Sequence, residues 1–147
     1  MAKSYYSTVF DAPAAKVWAI ARDFNGLATW FGGAVSVSEI EAGKSGEAVS
    51  GVRNFLFGDT RIREQLVGLS DMDCSYRYVF CDPAPFPVKN YLATLRVTPI
   101  TDGNKAFVEW WTTFDCDEDK IDHWTALFAR DVFAPALASL RDFVTAH

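Results

Sequence analysis

A chain of 147 residues that is 50% hydrophobic and 22% charged can bury a sizeable core, and we expect residues 1–147 to form one domain. Its net charge of −5 argues against nucleic acid and anionic membranes as partners, because both select basic patches. No apolar run has the length of a membrane span or a secretion signal, so we expect a cytoplasmic protein without membrane insertion.

The N-terminal region passes from strand to helix. Residues 4–10 predict a first strand, and Pro13 marks the start of a helix that the pair Asn25-Gly26 ends. The segment LATWF predicts one further helical turn before a pair of glycines.

From Ala34 onward the hydrophobic period becomes two, which predicts an antiparallel meander. The expected strands are 34–41, 50–57, 60–69, 73–81, 90–99 and 105–115. The loop 82–89 contains three prolines, which cannot donate hydrogen bonds within a sheet, so it belongs at a sheet end. Phe86 lies between two of these prolines, and we expect it either to meet an incoming ligand or to plug the core.

The chain ends in a helix predicted over 119–145. Apolar residues cover most of its circumference, so we expect the helix to be largely embedded. Pro135 has no backbone N–H to donate to the carbonyl of Asp131, which predicts a kink there.

Alternation assigns strand residues to two faces. In strand 60–69, positions 61, 63 and 65 are polar, so Glu64 shares the buried face with Ile62 and Leu66. An ionised carboxylate there costs several kcal/mol unless it is paired or its pKa rises. The strand 50–57 is undecided by this test, because both of its faces carry apolar residues. On the other strands, the inward set includes Tyr76, Tyr78, Phe80, Tyr91, Trp110 and Thr112.

The cysteines and histidines predict neither a disulfide nor a metal site. Cys74, Cys81 and Cys116 are an odd number without a CxxC pair, which is typical of free thiols. His123 follows an acidic stretch that begins at Asp117, and carboxylates there favour a helix N-terminus. We therefore expect no metal and no organic cofactor.

Several segments resemble the helix-grip fold of the START/Bet v 1-like (SRPBCC) superfamily, and within it the bacterial polyketide cyclase/dehydrase family. They are VRNF, REQL, YRYVF, VKNYLATLRVTP, VEWWTTFD and LFARDVF, and the resemblance covers essentially the whole chain. It implies an α+β fold in which a curved seven-stranded antiparallel sheet wraps around the C-terminal helix and leaves an internal ligand cavity. The superfamily includes plant abscisic acid receptors, but their gate-loop signature is absent here, where FGDTR forms a tight turn.

The resemblance also implies which residues line that cavity. It orients the undecided strand so that Arg53, Phe55 and Phe57 point inward. The other implied wall residues are Glu64, Tyr78, Phe80, Tyr91, Trp110, Phe128 and Val132. Further candidate ligand contacts are Tyr76, Phe86, Thr112, Trp124 and Asp131, the last at the edge of the Phe128 stripe.

Together with the resemblance, these residues imply a small hydrophobic ligand, aromatic or polyketide-like. Glu64 would be a general base that takes a proton α to a carbonyl, while Arg53 or Tyr91 stabilises the enolate oxygen, as in cyclase, dehydratase or lyase chemistry. A purely structural ion pair between Glu64 and Arg53 is an equal alternative.

Two functions without catalysis stay open. One is a carrier or sensor of hydrophobic ligands, and the other is a partner-binding module like the co-chaperone relatives of the fold. A filled cavity and a large exposed apolar patch would favour the second. A homodimer is compatible with the sequence.

Overall fold

Seven antiparallel strands form one curved sheet in the computed structural model, which describes residues Met1–His147. Each strand lies within two residues of its predicted bounds, so the predicted α+β meander is confirmed. The strands are β1 (Ala2–Phe10), β2 (Val35–Ile40), β3 (Val52–Phe57), β4 (Thr60–Ser70), β5 (Ser75–Phe80), β6 (Lys89–Ile100) and β7 (Lys105–Asp115).

The strand order across the sheet is β1-β7-β6-β5-β4-β3-β2. The two edge strands, β1 and β2, are therefore consecutive in the chain but lie at opposite sides of the sheet. The connection between them contains α1 (Ala14–Ala21) and α2 (Leu27–Trp30). Helix α1 follows Pro13, whose fixed φ suits a helix start and whose carbonyl accepts the backbone N–H groups of Lys16 and Val17.

The C-terminal helix has three parts. Helix α3 (Ile121–Ala126) and helix α4 (Ala134–Ala146) flank a π-helical segment at Leu127–Phe133. At its end the backbone N–H of Ala134 donates to the carbonyl of Ala129, five residues earlier. The helix is therefore irregular before Pro135, as predicted, but the irregularity consists of wider π turns. Pro135 itself lies in the first turn of α4, where the lack of a backbone N–H is tolerated.

The core lies between the concave face of the sheet and the helices. Ile62, Glu64 and Leu66 are all buried, as alternation along β4 predicted, while Arg61 on the opposite face is exposed. None of the helices combines the length and apolar character that crossing a bilayer requires.

Candidate functional site

A buried ion pair lies at the centre of the inner face of the sheet. Arg53 on β3 and Glu64 on β4 are direct cross-strand partners. Arg53 Nε donates to Glu64 Oε1 at 2.7 Å, and Nη2 lies 2.7 Å from the same oxygen. The two residues are only 1% and 5% exposed, so β3 presents the face that carries Arg53 to the interior.

Aromatic rings and a carbonyl complete the surroundings of Arg53. Its guanidinium carbon lies 3.9 Å from the ring centre of Phe24 and 4.7 Å from that of Tyr78, which are cation–π distances. Nη1 donates to the backbone carbonyl of Phe24 at 3.1 Å. The guanidinium is thus held in place on several sides, and it fixes the orientation of Glu64.

Burial sets the electrostatics of the pair. It raises the pKa of Glu64 above its ordinary value, because the loss of hydration outweighs the charge and hydrogen bonds of Arg53. Burial alone would lower the pKa of Arg53, but the charge of Glu64 and the smaller contributions of Tyr76, Tyr78 and the hydrogen bond to Glu64 together outweigh it, so the guanidinium stays protonated. Both arginine contacts reach Glu64 Oε1, and no protein hydrogen bond engages Oε2.

Two phenols stand beside the ion pair. Trp110 Nε1 donates to Tyr78 Oη at 3.0 Å, and the Tyr78 and Tyr91 ring centres are 6.3 Å apart. Burial raises the pKa of both tyrosines, and the nearby charge of Glu64 adds to the effect. Each phenol therefore keeps its proton at neutral pH and can donate it in a hydrogen bond.

These groups border an internal cavity. The space open to the centre of a water molecule is about 40 Å³, so aromatic side chains fill most of the interior. Phe80 stacks on Tyr91 with ring centres 3.9 Å apart, which narrows the cavity. Apart from the ion pair the lining is hydrophobic or phenolic, and it consists of Leu27, Phe31, Val35, Phe55, Phe57, Ile62, Tyr78, Phe80, Phe86, Tyr91, Trp110, Phe128, Val132 and Ala136.

A family model described as polyketide cyclase / dehydrase and lipid transport matches residues 1–146. The chain belongs to this family. Its architecture is accordingly that of Bet v 1-like proteins, with the sheet around the long C-terminal helix. No curated protein matches the chain.

Solved structures agree with the family assignment. A protein from Thermobifida fusca is 29% identical with a TM-score of 0.86, and the match covers 99% of this chain and 95% of that one. XoxI from Bacillus cereus is also 29% identical, with a TM-score of 0.83 and coverage of 99% and 96%. Norcoclaurine synthase from Thalictrum flavum, in complex with dopamine and hydroxybenzaldehyde, is 15% identical with a TM-score of 0.79 and coverage of 99% and 87%, a likeness in fold alone.

Most of the site residues predicted from the sequence border the cavity. They are Arg53, Phe55, Phe57, Glu64, Tyr78, Phe80, Phe86, Tyr91, Trp110, Phe128 and Val132. Five further residues border the cavity and were not predicted from the sequence: Leu27, Phe31, Val35, Ile62 and Ala136. Ile62 shares the inward face of Glu64 and could have been found by alternation alone.

Two inward-facing strand residues, Tyr76 and Thr112, do not border the cavity, and their contact with a ligand stays a prediction. Tyr76 is buried on the α1 side, where its ring packs edge-on against Phe24 at 5.5 Å and near Trp18 at 6.4 Å. Thr112 is buried too, and its hydroxyl donates to the backbone carbonyl of Leu92 at 3.1 Å. Both side chains are engaged in packing or bonding within the core.

Two residues of the C-terminal helix also lie outside the cavity. Trp124 is half-buried and packs against Phe86 at 5.6 Å and Phe128 at 6.0 Å, on the outer side of those rings. Asp131, predicted at the edge of the Phe128 stripe, is exposed to solvent. Neither residue borders the cavity, so a ligand contact by either stays a prediction.

Phe86 borders the cavity, and its two predicted roles, meeting a ligand or plugging the core, stay predictions. Its side chain is half-buried and lines the cavity, and its ring centre lies 5.6 Å from those of Trp124 and Phe128. It therefore closes the aromatic interior from the side of the proline loop.

The acidic stretch before α3 is a surface feature. Asp117 precedes a 3-10 turn at Glu118–Lys120, but its side chain makes no capping hydrogen bond, unlike the capping role expected from the sequence. Asp117, Asp119 and His123 border a surface groove and do not form a metal-binding cluster.

Proposed function

We propose that the protein binds a small, flat, hydrophobic carbonyl compound in its internal cavity and carries out acid–base chemistry on it, with Glu64 as the general base. One observation carries the proposal. Glu64 is buried in an aromatic cavity with one carboxylate oxygen held by Arg53 and the other oxygen free of protein donors.

The two carboxylate oxygens of Glu64 have different roles. Oε1 anchors it to a rigid, permanently charged guanidinium, and Oε2 is available to a proton on the ligand. A raised pKa makes the carboxylate a stronger base than it is in water, which suits removal of a proton α to a carbonyl.

The negative charge that develops on the carbonyl oxygen needs hydrogen-bond donors. Tyr91 lines the same cavity, and its raised pKa keeps the phenol protonated and able to donate. Arg53 already serves Glu64 and Phe24, so we assign it mainly the positioning of Glu64 and the neutralisation of its charge. Such a site supports aldol cyclisation, dehydration or a lyase reaction.

Ligand entry requires movement of side chains, because small-molecule sites are typically ~300–1,000 Å³ and this cavity is far smaller. Phe86 is the side chain best placed to move, since it lines the cavity and is half-buried. Aromatic walls favour a planar ligand that stacks against them.

The test begins with mass spectrometry of small molecules that co-purify with the protein, which supplies a ligand for assay. Glu64→Gln keeps the size and hydrogen bonding of the side chain but removes the base. Turnover should fall by about 10²–10⁴-fold, the usual worth of general acid–base catalysis, while ligand affinity is retained.

Glu41→Gln is the matched control, because Glu41 also pairs with an arginine, Arg63, but lies outside the cavity. It should leave turnover unchanged. Wild-type turnover by the Glu64→Gln protein would reduce Glu64 to a structural partner of Arg53. A bound ligand that the wild-type protein never converts would instead support a carrier or sensor.

The narrow cavity favours one other candidate, a partner-binding module. In that case no small molecule would co-purify, and the Phe86→Ala protein, despite a larger cavity, would not bind planar aromatic compounds either. Binding of such a compound by either protein excludes this alternative.

A further inference from the structure

Trp110 is held rigidly in the core by its neighbours. Its ring stacks on Phe133 with centres 4.9 Å apart and an angle of 15° between the planes, and meets Trp30 edge-on at 6.4 Å. The one polar atom of its side chain, Nε1, donates to Tyr78 Oη. The indole therefore presents a fixed donor to the phenol.

This bond constrains the Tyr78 hydroxyl. A phenol carries one proton and can both accept and donate, whereas an indole N–H can only donate. Because Tyr78 accepts from Trp110, its own proton must point away from the indole. Arg53 offers only donors, so among the side chains that line the cavity the acceptors for this proton are Glu64 and Tyr91, and a ligand atom there can also accept it.

Accepting a hydrogen bond also polarises a hydroxyl and makes it a stronger donor. Tyr78 is almost fully buried, in a region where such polarisation is not screened by water. Its phenol stands beside that of Tyr91, to which the proposed function gives the role of donor.

We infer that Trp110 is a positioning residue, which holds the Tyr78 hydroxyl so that Tyr78 and Tyr91 together form a two-phenol site for a ligand oxyanion. This inference rests on the proposed function and adds a second donor to it, together with the residue that orients the donor. The site should prefer an aromatic ligand in its oxyanion form over the same ligand in its neutral form.

The probe is 4-nitrophenol, whose anion absorbs visible light and whose neutral form does not. The host protein is the Glu64→Gln variant, which removes the repelling carboxylate and imitates Glu64 after it has taken a proton. The measurement is the ratio of phenolate to phenol affinity, obtained from absorbance titrations over a range of pH.

Tyr78→Phe should lower this ratio by about tenfold, because a hydrogen bond to a charged group is lost. Replacing Trp110 with β-(3-benzothienyl)alanine, which keeps the ring shape but has no N–H, should lower it by about three- to tenfold. With Tyr78→Phe already present, the change at Trp110 should have no further effect, since Trp110 acts through that hydroxyl.

Trp30 provides the matched control. It is buried beside Trp110, but its Nε1 makes no hydrogen bond, so the same replacement there should leave the ratio within about twofold of the host protein. An equal loss at Trp30 and Trp110, or a Trp110 effect that persists without the Tyr78 hydroxyl, would overturn the inference.

The two proposals fail differently. If neither form of the probe binds to any variant, the ligand cavity itself is wrong and this inference falls with it. If the probe binds with no preference for the phenolate in the host protein, the two-phenol site is wrong while the role of Glu64 as a base stands.

Discussion

Two glutamates show how strongly burial changes the same chemical pair. Glu64 and Glu41 each bind an arginine with 2.7 Å contacts. Glu41 lies near the surface, where hydrogen bonds from Arg63 and Asn54 lower its pKa to about 2. Glu64 has its pKa raised, because burial outweighs Arg53. The opposite pKa shifts of the two glutamates come from their surroundings and not from their arginine partners.

The two glutamates should therefore respond to pH with opposite signs. Glu64 binds its proton more tightly in the folded protein than in the unfolded chain. The contribution of Glu64 to the free energy of unfolding is therefore full below its ordinary pKa of 4.5, and it is lost as the pH rises through the higher pKa of the folded state. Glu41 stabilises the fold above pH 4.5, its ordinary pKa, and this stabilisation is lost as the pH falls toward its folded-state pKa of about 2.

Urea unfolding of the wild type, Glu64→Gln and Glu41→Gln proteins at a series of pH values measures both effects. The wild type should lose stability relative to Glu64→Gln as pH rises from 4.5, and relative to Glu41→Gln as pH falls from 4.5. The stability difference between the wild type and each variant could instead change with pH in the same direction for both variants. That result would show that burial does not dominate the pKa of Glu64.

At the scale of elements, periodicity predicted the strands well and the C-terminal helix only in part. Alternation needs nothing but a period of two, and it correctly placed Glu64 and Tyr78 on the buried face. A helical wheel assumes regular α turns, which Leu127–Phe133 does not have, so the π turns themselves were not predicted. Nothing in the local pattern distinguishes π turns from a proline kink.

The proline loop should behave as a semi-rigid cover. Phe86→Ala should lower the free energy of unfolding by about 2 kcal/mol, less than for a fully buried phenylalanine because this ring is half-buried. It should also speed both binding and release of a planar aromatic ligand, which stopped-flow fluorescence can follow.

Met72→Ala is a suitable comparison, since Met72 is an apolar side chain in a turn and is 94% exposed. It should change neither stability nor ligand kinetics. Ligand rates that stay at the wild-type level in Phe86→Ala, together with a large loss of stability, would make Phe86 a plug only.

At the scale of the whole molecule, sequence patterns could not predict which residues border the ends of the cavity. Leu27 and Phe31 reach it only because α2 packs near α4, where Ser139 Oγ donates to the carbonyl of Trp30. Tyr76 faces inward as predicted but lies past the end of the cavity. Such outcomes depend on contacts between residues that are distant in the chain.

Besides its pairing with β7, edge strand β1 is linked to the sheet by a polar side-chain network on the outer face. Tyr5 Oη donates to Glu109 Oε2 at 2.5 Å, and Arg96 Nη2 donates to Oε1 of the same carboxylate at 2.9 Å. Tyr5→Phe should lower the free energy of unfolding by about 1 kcal/mol, since Tyr5 is 42% exposed.

Hydrogen exchange provides the local readout for that variant. Amides of β1 should exchange faster in Tyr5→Phe, while amides of β4 and β5 keep their protection. Uniformly faster exchange across the sheet would indicate that the network stabilises the whole domain and not its edge.

The pairing of β1 with β7 has a consequence for the newborn chain. β1 leaves the ribosome well before its partner, because β7 begins only at Lys105. At ~5–20 residues per second, synthesis of the intervening chain takes roughly 5–20 s. For that time an unpaired strand with an apolar face is open to chaperones or to another nascent copy, so translation speed should affect the yield of folded protein.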